Sequence, residues 1–448
     1  MATGERQWVV DVRNRLKDVN LSAEMEQWGK HSIYRVPSCI KDLDPKAYKP
    51  QVVSFGPFHH GEAHLQPMEE HKQRALMHFL RRPNVPFEFD DFVAAMYEVV
   101  QPLQDAYQKL DEVFSDKDRF VELMIRDGCF MLEVIRVTAG RSSDYASNDP
   151  IFSRHGVLYT VPYIRRDMLM IENQLPLLVL EKLIAVETGK PMNEDLINRL
   201  VLKFLSPASR PLPAGLGLGL HPLDVFRKSM LQSPPRGLRR RTTFEPASSE
   251  IIRSAVELYE AGIRFKKSKT ESLRDIQFKH GVLSLPVIVV DDSTEYMFLN
   301  LMAFERLHVG AGNEVTSYVF FMDNIVDSSK DVSLLNSRGI IQNAIGSDKA
   351  VAKLFNGLSK DVVLDPESSL DHVHRMVSEY CRKPWNMWRA NLIHTYFRSP
   401  WAFLSLAAAI FLLVMTIMQT VYSVMQYYQS NPSPPPPPPP PPFAPSPQ

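Results

Sequence analysis

Between residues 59 and 71 the chain gathers His59, His60, Glu62, His64, Glu69, Glu70 and His71. Imidazoles and carboxylates a few residues apart are the donor set of a tetrahedral zinc site, so His59, His60, His64 and His71 are the metal-ligand candidates. The spacing is not HExxH, and Gly61 and Pro67 interrupt any single helix that would align His60, His64 and His71 on one face. The competing reading, which we favour, makes SFGPFHHG a tight turn shaped by Gly56 and Pro57, with its histidines hydrogen-bonded to neighbouring backbone. No cofactor is expected.

A second constellation is ENQLP, where Glu172, Asn173, Gln174 and Pro176 interrupt an apolar run. As a site, Glu172 would be a general base with a raised pKa, partnered by Asp127 or Glu133. As structure, Asn173 or Gln174 would cap a helix beginning near Pro176, and Glu172 would pair with Arg126, Arg165 or Arg166. An unpaired buried polar group costs about 1 to 3 kcal/mol, so these side chains need partners either way. No GxSxG accompanies them, which favours the structural reading and a non-enzymatic protein over an enzyme of unknown reaction. Asp291 and Asp292 read as a turn and helix cap rather than a metal site. Cys129 reads as a small hydrophobe on a helix face. Gly215 to Leu220, GLGLGL, lacks the GK[ST] of a phosphate loop.

The elements that position these residues are mainly helical. In Phe120 to Val137 apolar residues recur at three-four spacing, with Asp118 as the expected cap and Gly140 as the stop. Similar patterns predict helices over 68–81, 91–114, 250–265 and 370–380, and a helix buried on most faces over 168–183. Residues 273–278 and 282–290 predict a β-hairpin turning at Lys279, His280 and Gly281, with Pro286 at an edge or start. Asp292 and Glu295 predict a capping box for a helix reaching Leu307. The fold class expected is mainly α with a small β-hairpin element.

Two stretches, near 206–219 and 233–249, are rich in Pro, Gly, Ser and Arg and predict flexible insertions around the short apolar piece HPLDVFRKSML. The cations Arg236, Arg239, Arg240 and Arg241 in the second read as a solvated linker rather than a lipid-binding patch.

Toward the carboxyl end, Trp401 to Thr420 is apolar apart from Ser405, Thr416 and Gln419, with no charge from Ser399 onward. About 20 residues at a rise of roughly 1.5 Å cross a hydrocarbon layer of about 30 Å. A transmembrane helix is therefore expected over 399–422, with Trp401, Phe403, Leu404, Leu406, Ile410, Phe411, Leu412, Leu413, Val414 and Ile417 facing lipid. Ser399 and Pro400 suit a helix start. Arg382, Lys383, Arg389 and Arg398 precede the span and no cation follows it, so the positive-inside rule puts residues 1–398 in the cytosol as a helical domain. Trp385, Trp388, Tyr396 and Trp401 would form one aromatic belt, and Tyr422, Tyr427 and Tyr428 the other. Ser405 and Ala409 leave room for a second helix, compatible with a homo-oligomer. Residues 423–448 form a proline-rich extracytosolic tail, with Pro434 to Pro442 expected as an extended polyproline II rod.

Composition agrees. Of 448 residues, 51 are Lys or Arg and 51 Asp or Glu, so no global pull toward nucleic acid is expected. The charged amino-terminal segment does not read as a signal peptide. Three scattered cysteines, Cys39, Cys129 and Cys381, suit a reducing compartment.

The order of IYRVP (Ile33 to Pro37), SFGPFHHG (Ser54 to Gly61), MEEHK (Met68 to Lys72), DGCFMLE (Asp127 to Glu133), DPIF (Asp149 to Phe152), ENQLP (Glu172 to Pro176), NLMAFE (Asn300 to Glu305), VTSYVFFMD (Val315 to Asp323), WNMWRA and YFRSPW resembles the plant domain of unknown function 247 family, also called uncharacterised protein family 0481. The resemblance runs from Trp8 to the apolar span. It implies a plant protein with one C-terminal membrane span, no established biochemical activity and, as in grass members implicated in pollen self-incompatibility, a recognition or signalling role. Gly56, Pro57, His59, His60, Gly61, Asp127, Glu172, Asn173, Gln174 and Pro176 are its motif positions here. The partners expected are the lipid bilayer and a protein.

Overall fold

The computed structural model describes residues 6–18, 21–82, 88–140, 144–206, 212, 215–232, 253–360, 370–392, 400–430 and 437–439. The chain forms two compact units: Met1–Tyr259 with Ile263–Tyr380, and Glu260–Gly262 with Cys381–Gln448. The protein is mainly α; among the described residues there are two small sheets, and one C-terminal helix is long and apolar enough to cross a membrane.

In the first unit the Lys117–Thr138 helix is the central element. Asp116, not Asp118, caps it, accepting from the Asp118 and Arg119 amides at 2.9 and 3.1 Å. The helices Gln66–Leu80, Phe89–Glu98 and Leu177–Thr188 pack around it. Gly128 admits the last of these: a Cβ there would lie 2.6 Å from Leu183 Cδ1 and 2.7 Å from Val179 Cγ1. Cys129 beside it is fully buried, as a small core residue. A further group, Thr294–Leu307, Glu314–Ile325, Ser329–Ser337 and Asp348–Leu358, packs about the buried rings of Phe298, Phe304, Tyr318, Phe321 and Phe355.

The hairpin forms, but with shorter strands. β2 (Gln277–Lys279) pairs antiparallel with β3 (Val282–Leu285), and β1 (Arg264–Lys267) adds in parallel on the other side. His280 and Gly281 turn the chain with φ of 49° and 74°, the geometry of a two-residue I′-type loop. Pro286 ends β3, since it has no N–H for a ladder, and the rest of the expected strand becomes β4 (Ile288–Val290), which pairs in parallel with β5 (Ile341–Asn343) in a separate sheet.

Other boundaries differ for physical reasons. The expected 91–114 helix is three pieces, Phe89–Glu98, Val100–Asp105 and Glu112–Ser115. The described part of 250–265 is the Ala255–Glu260 helix followed by β1, with Gly262 at φ 98° between them. The helix expected over 168–183 is a buried loop from Met168 to Pro176 followed by Leu177–Thr188. Asp291, not Asp292, organises the entry to Thr294–Leu307, its Oδ1 accepting from the Ser293 amide and hydroxyl at 2.9 and 2.6 Å. Asp371–Arg382 matches the expected helix closely.

HPLDVFRKSML is no linker piece. Pro222–Met230 is a buried helix capped by His221, and Gly215 to Gly219 ahead of it is docked: the Asp195, Glu194 and Asn198 side chains accept from the Gly215, Leu218 and Gly219 amides at 3.0, 3.0 and 2.9 Å. Residues 233–249 lie outside the described residues, as do Tyr396, Arg398, Ser399 and all of the tail after Ser430 except 437–439.

In the second unit, Pro384–Leu392 presents Trp385 and Trp388 to solvent. The final helix runs Pro400–Ser430, eight residues beyond the expected end, because Val421, Tyr422, Val424 and Met425 continue the apolar pattern with no proline or glycine to stop it. Its span, Leu404–Tyr427, is 24 residues long and buries nothing within the protein.

Candidate functional site

Two of the sequence-selected residues, Asp127 and Asn173, meet at one segment, Gln51 to Gly56, which has extended or bent backbone and no strand partner. Its amides are satisfied by side chains from far along the chain. Asp167 accepts from Gln51, Val52 and Val53 at 3.0, 2.7 and 2.9 Å. Asn173 Oδ1 accepts from Phe55 at 2.7 Å, while its Nδ2 donates to the Val53 and Asp167 carbonyls at 3.0 and 2.9 Å. Asp127 Oδ2 accepts from Gly56 at 2.8 Å. A buried backbone amide without a partner is strongly disfavoured, so these three side chains do for the segment what a neighbouring strand would otherwise do.

Gly56 is required on two counts. Its φ is +70°, and a Cβ there would meet the Tyr107 hydroxyl at 2.6 Å and the Gln174 carbonyl oxygen at 2.8 Å. The Tyr107 hydroxyl itself donates to that carbonyl at 3.1 Å. Pro57 follows in the turn, and Gly61, at φ +86°, lets the chain bend back toward the Gln66–Leu80 helix.

Behind the loop, Lys72 reaches inward from that helix. Its ammonium lies 2.8 Å from Asp127 Oδ1, 2.7 Å from Glu69 Oε1 and 3.1 Å from the Ser54 hydroxyl. Neither the Lys72 nor the Asp127 side chain has any exposure. Burial pushes the Asp127 carboxyl up, against the pull of Lys72 and the Gly56 amide. Burial also raises Glu69, but Lys72, His60 and Arg126 together bring the net shift downward.

Glu172 accepts from the Val36 amide and the Lys41 ammonium, both at 2.6 Å, and lies 3.4 Å from His59 Nε2. The partner is thus a lysine, not Arg126, Arg165 or Arg166. Although burial raises its pKa, His59, Lys41 and the Val36 amide together bring it below the ordinary value. A carboxylate bonded by an amide and an ammonium beside an imidazole, with its pKa lowered and not raised, lacks what a general base at this position would need. Asp127 is also occupied elsewhere, and Glu133 pairs with Arg82 at 2.5 Å and Arg136 at 3.4 Å. Asn173 and Gln174 do not cap the helix after Pro176. Gln174 Oε1 instead accepts from the Leu223 amide at 3.0 Å, in the first turn of Pro222–Met230, while its Nε2 donates to the Met168 and Met170 carbonyls.

The histidines do not gather as one ligand set, although His64 Nδ1 lies 3.5 Å from Glu62, the carboxylate that His59 also meets. His59 Nδ1 meets Glu62 at 2.6 Å, His60 faces Glu69 at 3.9 Å, His64 Nε2 meets the Pro50 carbonyl at 2.9 Å, and His71 Nδ1 accepts from Arg74 at 3.1 Å. Burial lowers the pKa of His60 and of His71. Among the described residues, no three or more His, Cys, Asp or Glu side chains are grouped to hold a metal ion.

Sequence reasoning missed two features. One is Asp167, which holds three amides yet sits in no motif. The other is a half-open cavity of about 430 Å³ in the first unit, lined in part by Ile40, Leu43, Tyr48, Leu299, Met302 and Arg306. Its size is within the range of small-molecule pockets, and two ionisable groups on its wall are engaged, Glu305 with Arg227 at 2.6 Å and His308 with the Tyr34 hydroxyl at 3.0 Å. Its lining comes from residues 40 to 360, so no local pattern reveals it.

A mainly helical body knit by long-range side chain to backbone bonds, with an exposed apolar helix near its carboxyl end, defines the class structurally rather than by a reaction. Residues 33–415 match the DUF247 family, described as a plant protein of unknown function, and the chain belongs to it. It is similar to UPF0481 protein At3g47200 of Arabidopsis thaliana, 32% identical over 434 residues covering 90% of this chain and 88% of that protein. It is also similar to the putative UPF0481 protein At3g02645 of the same plant, 24% identical over 517 residues and covering 93% and 94%. No solved structure matches it.

Proposed function

We propose that this plant protein is a membrane-tethered, non-enzymatic component that binds another protein in recognition or signalling, with its helical body on the cytosolic side. The observation that carries this reading is the final helix. Its span, Leu404–Tyr427, is predominantly apolar over 24 residues and has no buried part, a surface that water disfavours and a bilayer accommodates. The cations Arg382, Lys383 and Arg389 ahead of the span support the cytosolic assignment by the positive-inside rule. The proline-rich tail then projects to the far side. Tethering raises the effective concentration of a partner on the same surface without any new contact.

The engaged state of Asp127, Asp167, Glu172 and Asn173, spent on backbone amides and ion pairs, counts against the enzyme reading. Fractionation of plant cells with carbonate washing, followed by protease digestion of sealed vesicles, tests the reading. The chain is expected in the washed membrane pellet with its amino-terminal body on the cytosolic face. Recovery in the supernatant, or a lumenal body, overturns it. Metal analysis of the purified full chain tests the rival enzyme reading: stoichiometric zinc or manganese lost in His60→Ala and His64→Ala would favour it.

A further inference from the structure

The chain has five tryptophans, and every one is exposed: Trp8 61%, Trp28 65%, Trp385 78%, Trp388 75% and Trp401 80%. The core is filled instead by phenylalanine and tyrosine, with Tyr48, Phe55, Phe79, Phe130 and Tyr318 among the fully buried side chains. Tryptophan is among the most buried residue types on average, and its amphipathic ring is enriched at membrane–water boundaries. Trp385, Trp388 and Trp401 precede or enter the apolar span, as the tether reading requires. Trp8 and Trp28 are nearly four hundred positions away and have no such explanation.

Their helices supply one. In Gln7–Asp18, Trp8, Val12 and Leu16 recur every fourth residue and are 61%, 48% and 68% exposed. At about 100° per residue these three cover an arc of roughly 80°. Arg15 borders that arc on one side and Arg13 on the other, while Asn14 falls on the opposite face. In Leu21–Lys30, Met25 and Trp28 lie three apart and are 76% and 65% exposed. A short helix with a Trp-led apolar stripe flanked by arginines fits the boundary between acyl chains and anionic headgroups, where the apolar face sinks in and guanidinium groups meet phosphate.

We propose that the amino-terminal helices, through Trp8, Val12, Leu16, Met25 and Trp28, form a second bilayer contact on an anionic lipid surface. The inference rests on the tether reading, since a chain already held at a membrane keeps this weak amphipathic face at high local concentration. A single such helix binds reversibly, so the contact can release while the span holds.

Two variants of the full chain separate the two ideas. In one, Trp385, Trp388 and Trp401 become Phe, so that only Trp8 and Trp28 fluoresce; in the other, Trp8→Phe and Trp28→Phe leave the three near the span. Each is reconstituted into phosphatidylcholine vesicles with and without phosphatidylserine, using brominated acyl chains as quencher, with circular dichroism confirming the fold. The expected result is a blue-shifted, bromine-quenched emission from Trp8 and Trp28 with phosphatidylserine present, reduced by Arg13→Glu with Arg15→Glu. If the span tryptophans are quenched while Trp8 and Trp28 are not, and aqueous iodide quenches them instead, the second contact is wrong and the tether stands. Protection of Trp8 and Trp28 from both quenchers would mean a protein cover, such as a second copy, and also overturns the proposal. Absence of bromine quenching in both variants would sink the tether reading itself.

Discussion

Lys72 Nζ and Asp127 Oδ1 face each other at 2.8 Å with no solvent exposure on either side chain. The pair joins the Gln66–Leu80 helix to the Lys117–Thr138 helix, and Asp127 extends the link to the Gly56 amide. Truncating one partner of such a pair leaves the other charge buried and alone, which costs about 3 to 5 kcal/mol. Lys72→Met is therefore expected to lower stability by that order in chemical denaturation. Adding Asp127→Asn should recover part of the loss, because the amide oxygen still accepts from Gly56. A Lys72→Met chain as stable as the parent would show that the pair is not needed.

His221 predicts acid lability. Its Nδ1 accepts from the Asp224 amide at 3.3 Å, so the ring proton belongs on Nε2, which faces the Ser32 carbonyl at 3.0 Å. Burial lowers its pKa from 6.5 to about 4. The unfolded chain takes up a proton near pH 6.5 and the folded chain only near 4, so stability is fully present above 6.5 and falls as the pH drops through that window. The loss is on the order of 3 kcal/mol for this residue. His374, also lowered by burial to about 4, acts in the same direction. Denaturation midpoints measured between pH 7 and pH 4 should fall less in His221→Asn, whose side chain can still cap the helix.

Gly128 marks a close helix crossing. Because a Cβ would sit under 3 Å from both Val179 and Leu183, Gly128→Val is expected to cost at least about 1 to 3 kcal/mol through overpacking. Combining it with Leu183→Ala should relieve part of the penalty. A thermal shift series on the single and double variants reads the coupling directly.

Asn173 is a test of the segment's side-chain bonding. Asn173→Asp keeps an acceptor for Phe55 but replaces the amide that donates to Val53 and Asp167 with a carboxylate facing two carbonyl oxygens. The expected loss is about 3 kcal/mol at neutral pH, smaller in mild acid where the new carboxyl protonates and can donate once. Hydrogen exchange at Val53 and Phe55 should accelerate in this variant ahead of exchange in the Lys117–Thr138 helix.

Periodicity in the sequence is enough to find the Lys117–Thr138, Gln66–Leu80 and Asp371–Arg382 helices, since each has a clear apolar stripe. The turn at His280 and Gly281 was equally legible, because few residues tolerate positive φ. Met168 to Pro176 reads as helix in the sequence because a continuous apolar run has no period, and a fully buried loop looks the same as a fully buried helix. The Pro222–Met230 helix was hidden by the proline and glycine around it. At the candidate site the residue types were visible, but their partners were not: Glu172 meets Val36 across 136 positions, and Asp167 meets Val53 across 114. Such pairings leave no trace in local spacing.

The Phe55 amide waits for an acceptor 118 positions downstream, and those of Gln51 to Val53 wait for Asp167. As the ribosome extends the polypeptide, this strip of backbone leaves the exit tunnel long before the side chains that will hold it. Until residue 173 emerges it can only be kept hydrated or guarded by a chaperone, so folding of the amino-terminal third is timed by translation of the ENQLP loop. Synonymous codons that slow or speed elongation just before that loop would therefore alter the yield of correctly folded protein without changing a single residue.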